Sequence, residues 1–76
     1  MYKEFDPGDL VRYRYKSYVA PVGAGENEST FGPYFPGQFA IVVSCDDSFV
    51  VVCVDGRKGW LYTNEVEFVQ SGDLHG

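Results

Sequence analysis

Hydrophobic positions are densest in the stretch FAIVVSCDDSFVVVCV, residues 39–54, where two β-branched runs flank Asp46-Asp47-Ser48. Val and Ile favour the pleated, half-buried surface of a sheet. Asp and Ser favour a reversal, since their side chains bond nearby backbone. The pattern therefore predicts a β-hairpin. Upstream, LVRYRYK alternates strictly: Val11, Tyr13 and Tyr15 point one way, Arg12, Arg14 and Lys16 the other. Asp6-Pro7-Gly8-Asp9 is a turn signal, as is Asp55-Gly56-Arg57-Lys58-Gly59. Trp60-Leu61-Tyr62-Thr63 reads as a fourth strand and Thr63-Asn64-Glu65 as a short 3₁₀ turn. In a last strand from Val66 to Val69, Glu65 and Glu67 face out and Val66 and Phe68 face in. No segment has helical periodicity. The expectation is all-β: five antiparallel strands near 9–16, 38–45, 49–54, 59–63 and 66–69, closed into one barrel. Val11, Tyr13, Trp60 or Leu61, Val66 and Phe68 supply the core.

Residues 17–37 form a long connection rich in Gly, Pro, Ser, Glu and Asn, yet carrying Tyr18, Phe31, Tyr34 and Phe35. Connections of this length in compact domains are usually functional or disordered, and disordered tracts are poor in aromatics. Pro33 and Pro36 bracket Tyr34-Phe35 and restrict the backbone. The hairpin runs are apolar on both faces, so one face of each strand must look outward, under the loop or under a partner. Together these features place a contact surface on loop 17–37 and the outer hairpin face, for a protein partner or self-association. Tyr18, Phe31, Tyr34, Phe35 and Tyr62 are its contact residues, and Glu26 and Glu28 at the loop tip favour a basic partner.

Composition narrows the classes. The 76 residues allow one domain, with a core about 5–69 and a polar tail 70–76. A net charge of −5 discourages non-specific binding to nucleic acid or anionic lipid. No apolar run has the length of a membrane-spanning helix, and the N-terminus lacks the pattern of a signal peptide. The expected location is therefore intracellular, or a virion if the chain is viral. Cys45 sits at the turn end of the hairpin and Cys53 opposite Ala40 or Ile41, too far apart to bridge; both are expected as buried free thiols.

Catalytic chemistry finds little support. The one histidine, His75, lies in the tail, whereas a general base needs a fixed position. Asp46-Asp47 and Glu26-Asn27-Glu28 match no calcium-loop spacing, and turn chemistry accounts for them. The reading is non-enzymatic, without cofactor or metal. Arg12, Arg14 and Lys16, interleaved with Tyr13 and Tyr15, are the alternative: a strand that meets phosphates and stacks on bases. If first and last strands pair, however, Arg12 and Arg14 lie beside Glu65 and Glu67 and are neutralised.

Two stretches carry a resemblance. Phe5-Asp6-Pro7-Gly8-Asp9-Leu10-Val11 resembles the F-x-x-G-D-x-V/I opening of SH3-like barrels. Gly59-Trp60-Leu61-Tyr62-Thr63-Asn64-Glu65-Val66 resembles the G-W-I/L-P-x-N-Y-V signature near the end of SH3 domains. The chain as a whole looks like the small SH3-like proteins of tailed bacteriophages, including those of cyanobacteria. That resemblance implies a five-stranded SH3-like barrel with a long first loop beside the ligand surface. It implies no settled activity. Tyr62 stands where peptide-binding SH3 domains have proline, Glu65 where they have tyrosine, and Phe49 where the groove tryptophan falls. The expectation is a non-catalytic interaction module, phage-encoded, acting in the virion or on a host protein in the host cytoplasm.

Overall fold

The computed structural model describes residues 4–22 and 29–72. The strands are β1 (Leu10–Tyr13), β2 (Ser17–Pro21), β3 (Phe31–Tyr34), β4 (Phe39–Cys45), β5 (Phe49–Val54), β6 (Arg57–Tyr62) and β7 (Val66–Gln70). A 3₁₀ turn, Thr63–Glu65, lies between β6 and β7. The strands form one antiparallel sheet in the order β3-β2-β6-β5-β4-β1-β7, curled into a half-barrel. The expected count of five is corrected to seven. The extra pair, β2 and β3, comes from the stretch read as a loop; its Gly and Pro content masked two short strands. Full closure is also corrected, because β3 and β7 remain edges.

β1 ends at Tyr13 rather than running on to Lys16. The Arg14 N–H still donates to Glu65 O at 2.8 Å in register with β7, but on the β4 side the Gln38 N–H turns to Phe35 O at 3.0 Å and Tyr13 O accepts instead from the Gly37 N–H at 3.0 Å, which ends the ladder there. Tyr15, expected to share a face with Val11 and Tyr13, is consequently exposed. Ahead of β1, Asp9 closes the predicted turn. Its Oδ2 accepts from the Asp6 N–H at 2.9 Å and its Oδ1 from the Gly72 N–H at 3.2 Å, which ties the start of the chain to the end of β7.

The hairpin register decides which face is inward. Ile41 pairs with Cys53 and Val42 with Val52, then a bulge at Val43 shifts Ser44 onto Val51 and Cys45 onto Val50. A bulge places one extra residue in one strand and turns the following side chains over. Ala40, Val42, Val50 and Val52 face the core with Phe5, Val11, Tyr13, Val19, Phe31, Tyr34, Leu61 and Val66. Cys45 packs against that core, while Cys53 falls opposite the outward Ile41; both are free and only partly buried.

Of the expected core residues, the alternative of Trp60 or Leu61 is decided and one assignment is corrected. Leu61, not Trp60, is the inward residue of its pair. Phe68 is 54% exposed, although it pairs with the fully buried Val11. It sits on edge strand β7, where no further strand covers it.

The β5–β6 turn is tighter than the five residues expected. Only Asp55 and Gly56 lie between the strands, with φ of 54° and 74°. Two successive positive φ values are the two-residue hairpin turn that matches strand twist, and Asp-Gly is its preferred sequence. Arg57 and Lys58 therefore belong to β6.

Candidate functional site

The two-residue turn sets the β5–β6 ladder residue by residue: Val54 faces Arg57, Cys53 Lys58, Val51 Trp60 and Phe49 Tyr62. Counting from the turn, Phe49, Trp60 and Tyr62 fall on one face, opposite to the buried Val50 and Leu61. Their rings form a contiguous cluster. Phe49 and Trp60 meet at 5.8 Å with planes at 64°, and Trp60 and Tyr62 at 5.5 Å with planes at 89°. These are edge-to-face contacts, the arrangement aromatic quadrupoles favour. Between Phe49 and Trp60 lies a small apolar cleft of about 180 Å³. Trp60 pairs with Ala20 of β2, and Tyr18, two residues earlier, emerges on the same face and is exposed. Phe39 and Ile41 extend the exposed apolar surface across β4.

One end of this face is acidic. The Asp46 N–H donates to Phe49 O at 2.8 Å and the Thr63 N–H to Ser48 O at 3.1 Å, so the β4–β5 loop is pinned beside the 3₁₀ turn. The Tyr62 N–H donates to Glu65 Oε2 at 3.0 Å, which brings that carboxylate to the rim of the rings. Asp46 and Asp47 are both exposed in the loop.

The residues expected on the contact surface divide. Tyr18, Phe35 and Tyr62 are exposed. Phe31 and Tyr34 are inside, at 9% and 7% exposure, and this part of the expectation is corrected. The reason is β3: as a strand paired to β2 it delivers Phe31 and Tyr34 to the inner face, opposite Val19 and Ser17. Glu26 and Glu28 lie outside the described residues, as does His75. Phe49 and Trp60 were not foreseen as contact residues. The Asp-Gly dipeptide was the available signal, because a two-residue turn there fixes the register that puts them together.

On the inner side the rings of Tyr13 and Tyr34 stack at 5.2 Å with planes 9° apart, and Phe31 meets Tyr34 edge-on at 6.1 Å. The Tyr34 hydroxyl donates to Asp55 Oδ2 at 3.1 Å. Arg57 lies over the Phe31 ring, 4.1 Å from its centroid. Burial pushes both phenols above their ordinary range. For Tyr34 the hydrogen bond to Asp55 adds to this; for Tyr13 the neighbouring Tyr34, Asp55 and Glu65 do. An open cleft of about 460 Å³ runs past Tyr34, Asp55 and Arg57.

In the candidate nucleic-acid strand two of the three cations share one carboxylate. Arg12 and Arg14 both reach Glu67, Arg12 through Nε to Oε2 in close contact and Arg14 at 3.9 Å. The expected pairing with the last strand is thus present through Glu67, while Glu65 is engaged with Tyr62. Lys16 is exposed, beyond the end of β1. Among the described residues no three His, Cys, Asp or Glu side chains gather as a metal site would require, and no helix is long and apolar enough to cross a membrane. No protein-family model, curated protein or solved structure matches the chain.

Proposed function

We propose that this chain is a non-catalytic protein-interaction module of SH3-like type, phage-encoded, serving as a virion component or a binder of a host protein. The SH3-like and phage assignments rest on the resemblance of residues 5–11 and 59–66. The paired β2–β3 excursion, standing where such barrels carry their long first loop, is consistent with them. The interaction reading rests on one observation: three aromatic rings are grouped on the outer sheet face around an apolar cleft. Large aromatics that a fold leaves outside its own core are the residues that dominate binding energy once a partner covers them. The contact surface is the outer face of β5 and β6 with Tyr18, in place of the loop aromatics Phe31 and Tyr34.

The test is a double substitution, Phe49→Ser with Tyr62→Ser. Both side chains are exposed, so the fold should survive. A partner captured by the unmodified protein is purified and titrated against both forms. Its affinity should fall about thirtyfold or more, the loss of one hot-spot residue, while Tm stays nearly unchanged. Equal affinity for the two forms contradicts the reading.

A further inference from the structure

We infer that the cleft between β3 and the β5–β6 turn binds a small zwitterion, an α-amino acid, with its carboxylate on Arg57 and its ammonium on Asp55. The site lies apart from the Phe49–Trp60–Tyr62 face, and the inference does not depend on the interaction reading.

The turn supplies the charges. Asp55 and Arg57 flank Gly56, and both line the cleft with Thr30, Phe31, Pro33 and Tyr34. The two opposite charges do not neutralise each other: the ion pairs among the described residues are those of Arg12 and Arg14 with Glu67. Each charge is held instead by an aromatic side chain of β3. Asp55 Oδ2 accepts from the Tyr34 hydroxyl at 3.1 Å, and the Arg57 guanidinium lies over the Phe31 ring at 4.1 Å. Both rings are buried, so they are fixed anchors for side chains that are otherwise exposed. Asp55 and Arg57 therefore stand at one cleft, beyond ion-pair reach of each other.

What remains unsatisfied defines the ligand. Stacking on Phe31 occupies one face of the guanidinium and leaves its in-plane N–H fork, for which no described residue supplies an acceptor. That fork matches a carboxylate through two parallel hydrogen bonds. A ligand carrying only a carboxylate would also meet the like charge of Asp55, and one carrying only an ammonium would meet Arg57. A molecule bearing both charges turns each of these repulsions into a contact. The cleft, about 460 Å³, falls within the range of about 300–1,000 Å³ that small-molecule sites occupy. Pro33 offers an apolar wall for the ligand's side chain.

The test is a titration of the full, ¹⁵N-labelled chain with L-leucine, followed by NMR at the Gly32 and Gly56 amides beside the cleft. These signals should shift saturably, with a Kd of about 0.1–10 mM because the charge contacts are exposed to solvent. The Trp60 indole, on the outer sheet face, should not move. Isoamylamine and 4-methylpentanoate keep the side chain of leucine with one charge each, and each should bind about fivefold or more weakly. Asp55→Asn keeps a favoured two-residue turn; it should reduce L-leucine to the affinity of 4-methylpentanoate. Arg57→Gln should reduce it to that of isoamylamine. The analogue comparison uses the unmodified chain, so it decides even where a variant loses its fold. Equal affinity for L-leucine and either analogue, no saturable shift, or shifts that centre on Trp60 overturn the inference. Phe49→Ser with Tyr62→Ser, which judges the interaction reading, should leave L-leucine binding unchanged.

Discussion

Tyr13 and Tyr34 stack nearly parallel, yet their hydroxyls fare differently. The Tyr34 hydroxyl reaches Asp55, whereas that of Tyr13 is buried with no hydrogen-bond partner among the described residues. A buried polar group without a partner costs about 1–3 kcal/mol, while a satisfied one contributes about 1 kcal/mol net. Tyr13→Phe should therefore leave stability unchanged or raise it, by up to about 1–3 kcal/mol. Tyr34→Phe should lower it by about 1 kcal/mol. Parallel thermal melts of the two variants check this opposition; a marked loss in Tyr13→Phe would show that its hydroxyl is satisfied after all.

Among the strands, β2 and β6 pair in close approach. Gly59 is buried beneath Val19 and Phe31 and pairs with Pro21. A Cβ there would overlap Val19 Cγ1, stand 2.8 Å from Ala20 O and 3.1 Å from Phe31 Cζ. The backbone approach that lets β2 and β3 fold over the core thus depends on an absent side chain. Gly59→Ala should destabilise by about 2–3 kcal/mol, in the range of core overpacking. In a domain this small that lowers Tm by about 10 °C or more. A Tm within a degree or two of the parent would show that β2 can move aside without loss.

The same junction shows how much the sequence discloses. The hairpin with its loop at Asp46-Asp47-Ser48, the 3₁₀ turn and β7 were all legible, because each rests on local chemistry: β-branched runs, turn-forming acids, alternation. β2 and β3 were not. Their residues, Ser17–Pro21 and Phe31–Tyr34, include Gly and two Pro and have weak strand propensity. They become strands through tertiary pairing, Ala20 with Trp60 and Val19 with Phe31. The inward face of β4 was unreadable for a related reason: the bulge at Val43 leaves no mark at the end of a run, residues 39–43, that is apolar on both faces. Of the candidate site, Tyr18 was visible as an aromatic of the long connection and Tyr62 through its place in the SH3-like signature. Phe49 and Trp60 joined them only once register was known.

For the whole molecule, the raised phenol ionisations carry a consequence for alkaline stability. Both tyrosines hold their protons more firmly folded than unfolded. Below the ordinary tyrosine range of about pH 10 both states are protonated, and this contribution is fully present. As pH rises beyond that, the unfolded chain releases protons that the fold retains, so stability falls until the folded groups ionise as well. The steepest loss is about 1.4 kcal/mol per pH unit for each tyrosine. Tm should be level through neutral pH and drop above about pH 10, and the Tyr13→Phe, Tyr34→Phe double variant should flatten that drop. An unchanged slope in the double variant would assign alkaline loss to other groups.

The two borders of the sheet are unequal, and this limits how copies of the chain could add to one another strand by strand. Along β3 the backbone is interrupted: Pro33 has no N–H to give, and Gly32 leaves the extended region with φ of 126°. Along β7 the residues Val66–Gln70 run as strand beside the exposed Phe68, with a bulge at Val69 where the register to β1 shifts. A ribbon that grows without end needs two usable borders on every copy, one to accept and one to offer. With one usable border, antiparallel joining of β7 to β7 consumes it on both copies at once. Were copies of this chain to join strand to strand, the addition would therefore end at a pair rather than propagate into a fibre.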